Sequence, residues 1–71
     1  MKYQLEMGSP VDFDKLVVYI IIDGIYIALL NQDKGIENLE IQFLDIGRIK
    51  EVDYLAFIES LAETKKLLTS E

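Results

Sequence analysis

Residues 15–32 read KLVVYIIIDGIYIALLNQ, and this stretch decides the fold of the chain. Two runs rich in Ile, Val, Leu and Tyr flank Asp23-Gly24. Asp-Gly between apolar runs is the strongest short-range signal of a β-hairpin, because a type I′ turn needs positive φ at both of its central residues. The density of β-branched residues also favours strands over a helix. The stretch therefore predicts a tight hairpin that turns at Asp23-Gly24.

A two-residue turn also predicts which side chains share each face of the hairpin. The first predicted face is purely aliphatic and pairs Ile22 with Ile25, Ile20 with Ile27, and Val18 with Leu29. The second predicted face is also apolar and pairs Ile21 with Tyr26, Tyr19 with Ala28, and Val17 with Leu30. An antiparallel sheet with one wet face should carry a polar residue at every second position. Neither face of this hairpin does, so both need a cover.

The segments on either side extend the hairpin into a small α+β domain. Residues 2–7 and 38–43 alternate polar with apolar side chains, which predicts one strand before the hairpin and one that continues it as a meander. From Asp53, a residue that can cap a helix, apolar residues recur at helical spacing. We expect a single domain over residues 1–71, with an antiparallel meander of three to four strands followed by one C-terminal helix.

The predicted helix, about 24 Å long and 10 Å across, can cover only one face of the sheet. We expect it to pack on the aliphatic face with a stripe that comprises Leu55, Ile58, Leu61, Ala62 and Leu68 and is widened by Tyr54 and Phe57. The second face then leaves several hundred Å² of apolar surface uncovered unless a partner binds there. We therefore expect a homodimer whose interface is formed by Val17, Tyr19, Ile21, Tyr26 and Leu30.

The composition offers little of the chemistry on which enzymes and metal sites depend. The chain has no His and no Cys, which removes the usual zinc ligands, the thiolate nucleophiles and the commonest general base. Ser9 and Ser60 have no activating group nearby in sequence, and the oxygen-rich loop 31–37 lacks the alternating acids of an EF-hand. We expect no catalytic activity, no cofactor and no metal site.

The charge balance narrows the class of partner. Thirteen acidic residues against seven basic ones give a net charge of −6. Nucleic acids and anionic membranes recruit clustered Lys and Arg, so neither is an expected partner. The apolar run 16–30 is interrupted by Asp23-Gly24, and no signal-peptide pattern is present, so we expect a cytoplasmic protein.

Two functional classes fit these observations. The first is a non-enzymatic protein–protein interaction or regulatory module that acts as a homodimer. The alternative is an acidic inhibitor or immunity-type protein that masks a basic partner such as a nuclease toxin. Its predicted contacts are Glu37, Glu40, Asp45 and Glu51. The mass in solution, and whether the acids cluster on one surface, distinguish the two.

Overall fold

A computed structural model describes residues 2–44, 47 and 49–69 of the chain. Its strands are β1 (Tyr3–Gly8), β2 (Val17–Ile22), β3 (Ile25–Asn31) and β4 (Glu40–Phe43), with a 3₁₀ turn at Ile36–Asn38 and a helix α1 at Tyr54–Thr69. The strands form one antiparallel sheet in the order β1-β2-β3-β4. This confirms the predicted fold, a four-stranded meander followed by one helix packed on it. In the part of the chain that the structure describes, no helix is both long and apolar enough to cross a membrane.

The hairpin turn lies at the predicted dipeptide. Asp23 has φ 54° and Gly24 has φ 79°, so both central residues have the positive φ that a type I′ turn requires. Ile22 pairs with Ile25 across the turn. The Asp23 N–H also donates to the Lys2 carbonyl at 3.3 Å, which connects the turn to the start of β1.

Beyond the turn the hairpin register shifts by one residue. Ile21 pairs with Tyr26, but Ile20 pairs with Ala28, so Ile27 is an extra residue on β3. Such a β-bulge places two residues of one strand opposite one residue of the other. The predicted pairing of Ile20 with Ile27 is therefore wrong, and so are the predicted pairings farther from the turn. Leu30 pairs with Val18 on the side of the sheet that the helix covers.

The core lies between α1 and one side of the sheet, which we call the helix-side face. The buried residues of this core are Ile20, Ile22, Ile27, Ala28 and Leu30 from the sheet and Ala56 from the helix. Partly buried side chains packed against them come from β1, the connections and the helix: Tyr3, Leu5, Leu39, Ile49, Val52, Phe57 and Leu61. The aliphatic residues that distinguish this hairpin thus supply most of the core.

Side-chain hydrogen bonds fix both ends of α1. The Asp53 carboxylate accepts the Ala56 N–H through Oδ2 at 3.0 Å, which confirms the predicted N-cap. At the other end, the Thr69 hydroxyl donates to the carbonyls of Lys65 and Lys66 at 2.8 and 3.1 Å. Thr69 is the last residue of the helix.

The buried side of α1 differs from the predicted stripe. Buried residues recur at every fourth position: Ala56, Ser60, Thr64 and Leu68. Leu55 and Ile58, which were expected to face the sheet, are 65% and 44% exposed, and Ala62 is exposed too. Three of the four buried residues are small. Of the predicted stripe, Leu68 is buried and Leu61 packs against the core, whereas Leu55 and Ile58 are left on the outside of the helix.

A single carboxylate connects two loops at the far end of the sheet. Asp33, after β3, accepts the backbone N–H groups of Asp14 and Lys15 at 3.2 and 3.1 Å. The neighbouring Gln32 side chain donates to the Leu16 carbonyl at 3.1 Å. These bonds hold the connection before β2 against the end of β3.

Candidate interaction surface

The side of the sheet away from α1, here called the outer face, carries four of the five predicted interface residues: Val17, Tyr19, Ile21 and Tyr26. Val17 and Ile21 are buried within the chain, at 0% and 7% exposed, and Tyr19 is partly buried. Only Tyr26 keeps a large exposed fraction, 44%. The outer face therefore offers much less apolar area than the sequence predicts.

The fifth predicted interface residue, Leu30, does not lie on the outer face. The bulge at Ile27 moves it to the helix-side face, where it is 3% exposed and belongs to the core. Leu29 pairs with Tyr19 and takes its place on the outer face, where it is 5% exposed. Leu30 is thus corrected from an interface residue to a core residue.

Two tyrosine rings lie across the outer face. The rings of Tyr19 and Tyr26 meet edge to face, with centroids 5.9 Å apart. The Tyr26 hydroxyl donates to Glu6 Oε2 on β1 at 3.0 Å, and this hydrogen bond, together with the charge of Glu6, raises the pKa of Tyr26. Tyr19 leans over Gly8, where a Cβ would lie 3.0 Å from the ring. Glycine at this position makes room for the ring, so the chain closes much of this face itself.

Large exposed apolar side chains gather on the opposite side of the molecule. Three of them lie on the helix-side face of β3 and β4, and three lie on the first turns of α1. Their exposed fractions are Ile25 50%, Ile41 41%, Phe43 51%, Tyr54 73%, Leu55 65% and Ile58 44%. We call these six residues the helix-side apolar surface.

The strand half and the helix half of this surface adjoin. The rings of Phe43 and Phe57 stack with centroids 6.2 Å apart and planes at 29°, which brings β4 against α1. Ile25 and Tyr54 line one cleft of about 500 Å³. A second cleft, about 310 Å³, lies between Phe43 and the segment that precedes the helix, where Ile49 and Val52 line it. The Phe43–Phe57 stack therefore joins the sheet edge to α1, whereas Leu55 lies on the other flank of the helix, where it lines a cleft with Lys2 and Tyr3.

The position of α1 explains why these residues are exposed. Among the strands, α1 packs mainly against β1 and β2, and it also contacts the 3₁₀ turn at Ile36–Asn38. Lys2, just before β1, forms an ion pair with Asp53 at 3.3 Å. Partial burial, followed by the charges of Glu63 and Glu59 on the helix, raises the pKa of Tyr3 on β1. Because α1 lies toward β1, the helix-side residues of β4 are left without a full cover.

Among the strands of the described residues, β4 forms one edge of the sheet. Gln42 pairs with Leu29, and the Leu44 N–H donates to the Ile27 carbonyl at 2.8 Å. Backbone groups alternate along an antiparallel strand, so those of Ile41 and Phe43 point away from the sheet. Natural edge strands are commonly protected by charge. The centre of this edge, Ile41-Gln42-Phe43, has none.

The acids proposed as contacts for a basic partner do not form one group. Glu40 lies opposite Asn31 at the end of β3 and is paired with Lys34 at 2.9 Å. Glu51 lines a cleft with Ile25, at the start of β3. Glu37 lies in the 3₁₀ turn, and Asp45 lies outside the described residues. Glu40 and Glu51 are therefore separated by the length of a strand.

Ser60, one of the two serines considered as a nucleophile, has a structural role. Ser60 is fully buried, and its hydroxyl donates to the Phe57 carbonyl at 2.7 Å within the helix. Across residues 2–44, 47 and 49–69, no three acidic side chains lie close enough together to hold a metal ion.

No protein-family model matches the chain, and neither curated proteins nor solved structures give a significant match.

Proposed function

We propose that this protein is a non-enzymatic interaction module that acts as a homodimer through its helix-side apolar surface. The observation that carries the proposal is the set of large apolar side chains on β3 and β4, Ile25, Ile41 and Phe43, which are 41–51% exposed and which the Phe43–Phe57 stack joins to α1. Single apolar side chains on a surface are normal, whereas a contiguous patch marks an interface. A two-fold dimer covers the same patch on both copies at once.

The total surface area supports self-association. The chain exposes 5014 Å², whereas a folded monomer of 8.2 kDa exposes about 4,500 Å² by size scaling. The excess of about 500 Å² per chain is in the direction expected of a subunit that buries surface on association. A chain without Cys cannot use disulfides, and oligomerisation is another route by which small domains gain stability.

The outer face is the second candidate surface for the same function. Its supporting residue is Tyr26, because Val17, Ile21 and Leu29 are buried inside the chain. Phe43 and Tyr26 form a matched pair of probes, since each is a half-exposed aromatic residue on a strand, at 51% and 44%, and they lie on opposite faces.

Sedimentation velocity from low to high micromolar concentration tests the proposal. We expect a concentration-dependent dimer, a Phe43→Ser variant whose Kd is at least about tenfold weaker, and a Tyr26→Ser variant that dimerises like wild type. Circular dichroism on both variants checks that the fold is retained. A reversed result, with Tyr26→Ser dissociated and Phe43→Ser dimeric, would assign the contact to the outer face.

A chain that stays monomeric at high micromolar concentration would contradict the homodimer. If such a monomer bound basic proteins with an association rate that falls steeply with salt, the acidic-inhibitor class would be favoured instead. The homodimer is preferred because the exposed apolar side chains of β4 adjoin α1, whereas the acids predicted for that alternative lie apart or are paired.

A further inference from the structure

We infer that the second copy docks against the open edge of β4, antiparallel to its own β4, on a two-fold axis that passes through Gln42. The two four-stranded sheets would then form one continuous sheet of eight strands. This inference rests on the proposed homodimer and specifies where the copies meet and in which register. The expected partner is a second copy of the chain, because a two-fold contact places the same strand edge on both sides of the interface.

The two edges of the sheet differ in what they offer to a partner. β1 carries Glu6 in its middle and contacts α1, so the edge that it forms is charged and partly covered by the helix. β4 has an uncharged centre, and its two outward-pointing residues, Ile41 and Phe43, are 41% and 51% exposed. An edge strand with free backbone groups and apolar side chains is a template for another strand. The β4 edge is therefore the better docking site.

Backbone geometry restricts the register. In an antiparallel pair, two opposite residues exchange both hydrogen bonds only if the backbone groups of each point toward the other strand. On β4 these residues are Ile41 and Phe43. If Ile41 lies opposite the partner's Phe43, and Phe43 opposite the partner's Ile41, four inter-chain hydrogen bonds form. Gln42 then faces itself on the axis as a non-hydrogen-bonded pair.

The side chains suit this register. Ile41 and the partner's Phe43 become an aliphatic–aromatic cross-strand pair on the helix-side face. Glu40 lies opposite the partner's Leu44, so the two copies place no like charges directly opposite each other, and the Lys34–Glu40 ion pair can persist. A register centred on Ile41 would instead need Leu39, which precedes β4, to pair with the partner's Phe43.

The symmetry also joins the helix-side apolar surfaces. A two-fold axis perpendicular to the sheet keeps both helices on one side of it. The two Phe43 side chains then lie between the helices, each beside the partner's Ile41. The edge contact thus extends the apolar area of each copy into that of the other.

Disulfide trapping tests the register, because the chain has no Cys and any introduced thiol is unique. Non-hydrogen-bonded partners have Cα atoms about 4.5 Å apart, within the range that a disulfide can span. We expect Gln42→Cys to form a covalent dimer almost completely under mild oxidation, as seen by non-reducing electrophoresis. The matched control is Glu40→Cys, whose two copies would lie about 13 Å apart along the strands and remain uncrosslinked.

A second test removes a backbone donor without introducing a thiol. Ile41→Pro deletes an N–H that points away from the sheet, where an edge strand tolerates proline. We expect the fold to persist while the Kd of the dimer rises at least about tenfold, and Ile41→Val, which keeps the N–H, to dimerise like wild type.

The outcomes separate this inference from the proposed function. If the protein dimerises but Gln42→Cys does not crosslink, or crosslinks no better than Glu40→Cys, the register through Gln42 is wrong while the homodimer stands. Preferential crosslinking of Ile41→Cys would place the axis one residue away and would also overturn it. A chain that is monomeric throughout the concentration series would overturn both.

Discussion

Phe43 and Phe57 stack with ring centroids 6.2 Å apart, and this contact joins the edge strand β4 to α1. The two rings differ in their surroundings. Phe57 is partly buried and packs against the core, whereas Phe43 is 51% exposed. One ring therefore supports the fold from within, and the other keeps one side exposed at the surface.

This difference predicts separate effects for the two truncations. Phe57→Ala should lower the free energy of unfolding by about 2–3 kcal/mol, because it leaves a gap beside the core. Phe43→Ala should lower it by less than about 1 kcal/mol, mostly the loss of the ring contact, but should weaken self-association. Urea denaturation at low micromolar protein concentration measures the first effect, and sedimentation measures the second. Equal losses of stability would contradict the assigned roles.

The hairpin turn predicts a strong effect at Gly24. Its φ of 79° is unfavourable for a β-branched residue, although no heavy atom lies within 4 Å of the Cβ position. Gly24→Val should therefore lower the free energy of unfolding by at least about 1–2 kcal/mol through backbone strain alone. Asp23→Asn is the control, because Asn also tolerates positive φ at a φ of 54°. A Gly24→Val variant as stable as wild type in urea would contradict the type I′ turn.

The turn and the helix cap could be predicted because local chemistry determines them. Asp23-Gly24 allows positive φ, and Asp53 provides an oxygen for the free N–H groups of the helix start. The bulge at Ile27 could not be predicted in this way. Residues 25–30 are all apolar, so each possible register buries similar side chains and no residue type marks the extra position.

The outer face exposes less apolar area than predicted because of that bulge and of one long-range contact. Moving Leu30 to the core and bringing Tyr19 over Gly8 closes a face that alternation alone leaves open. For α1, hydrophobicity favours Leu55 and Ile58 as the buried stripe, whereas close packing on the sheet selects the smaller Ala56 and Ser60. Both outcomes depend on how elements distant in sequence fit together, which a periodic pattern does not contain.

The N-cap predicts a pH-dependent contribution to stability. The Ala56 N–H, and then Lys2, lower the pKa of Asp53 below its ordinary value. The charged carboxylate thus stabilises the fold above its unfolded pKa of about 3.9, and this stabilisation is lost as the pH falls through the lower folded pKa. We expect Asp53→Ala to cost about 1 kcal/mol at neutral pH and clearly less in strong acid.

Urea denaturation at both pH values measures this difference. Asp53→Asn is the control, since Asn also caps helices but carries no charge. It should keep most of the stability at neutral pH and show little change of its own with pH. A loss for Asp53→Ala that is the same in acid as at neutral pH would contradict the ionised cap.

The last prediction concerns a hydroxyl in the row of small residues that packs α1 on the sheet. Thr64 is fully buried, and within the described part of the chain its Oγ1 has no hydrogen-bond partner, whereas Ser60 in the same row donates to the Phe57 carbonyl. A buried hydroxyl without a partner costs about 1–3 kcal/mol, and Val has a similar shape and a similar helix propensity. Thr64→Val should therefore raise the free energy of unfolding by about 1 kcal/mol, while Ser60→Ala, which removes a satisfied hydroxyl, should not raise it. Urea denaturation of both variants checks this pair, and a destabilised Thr64→Val variant would show that the hydroxyl is hydrogen-bonded in solution, for example to a buried water molecule.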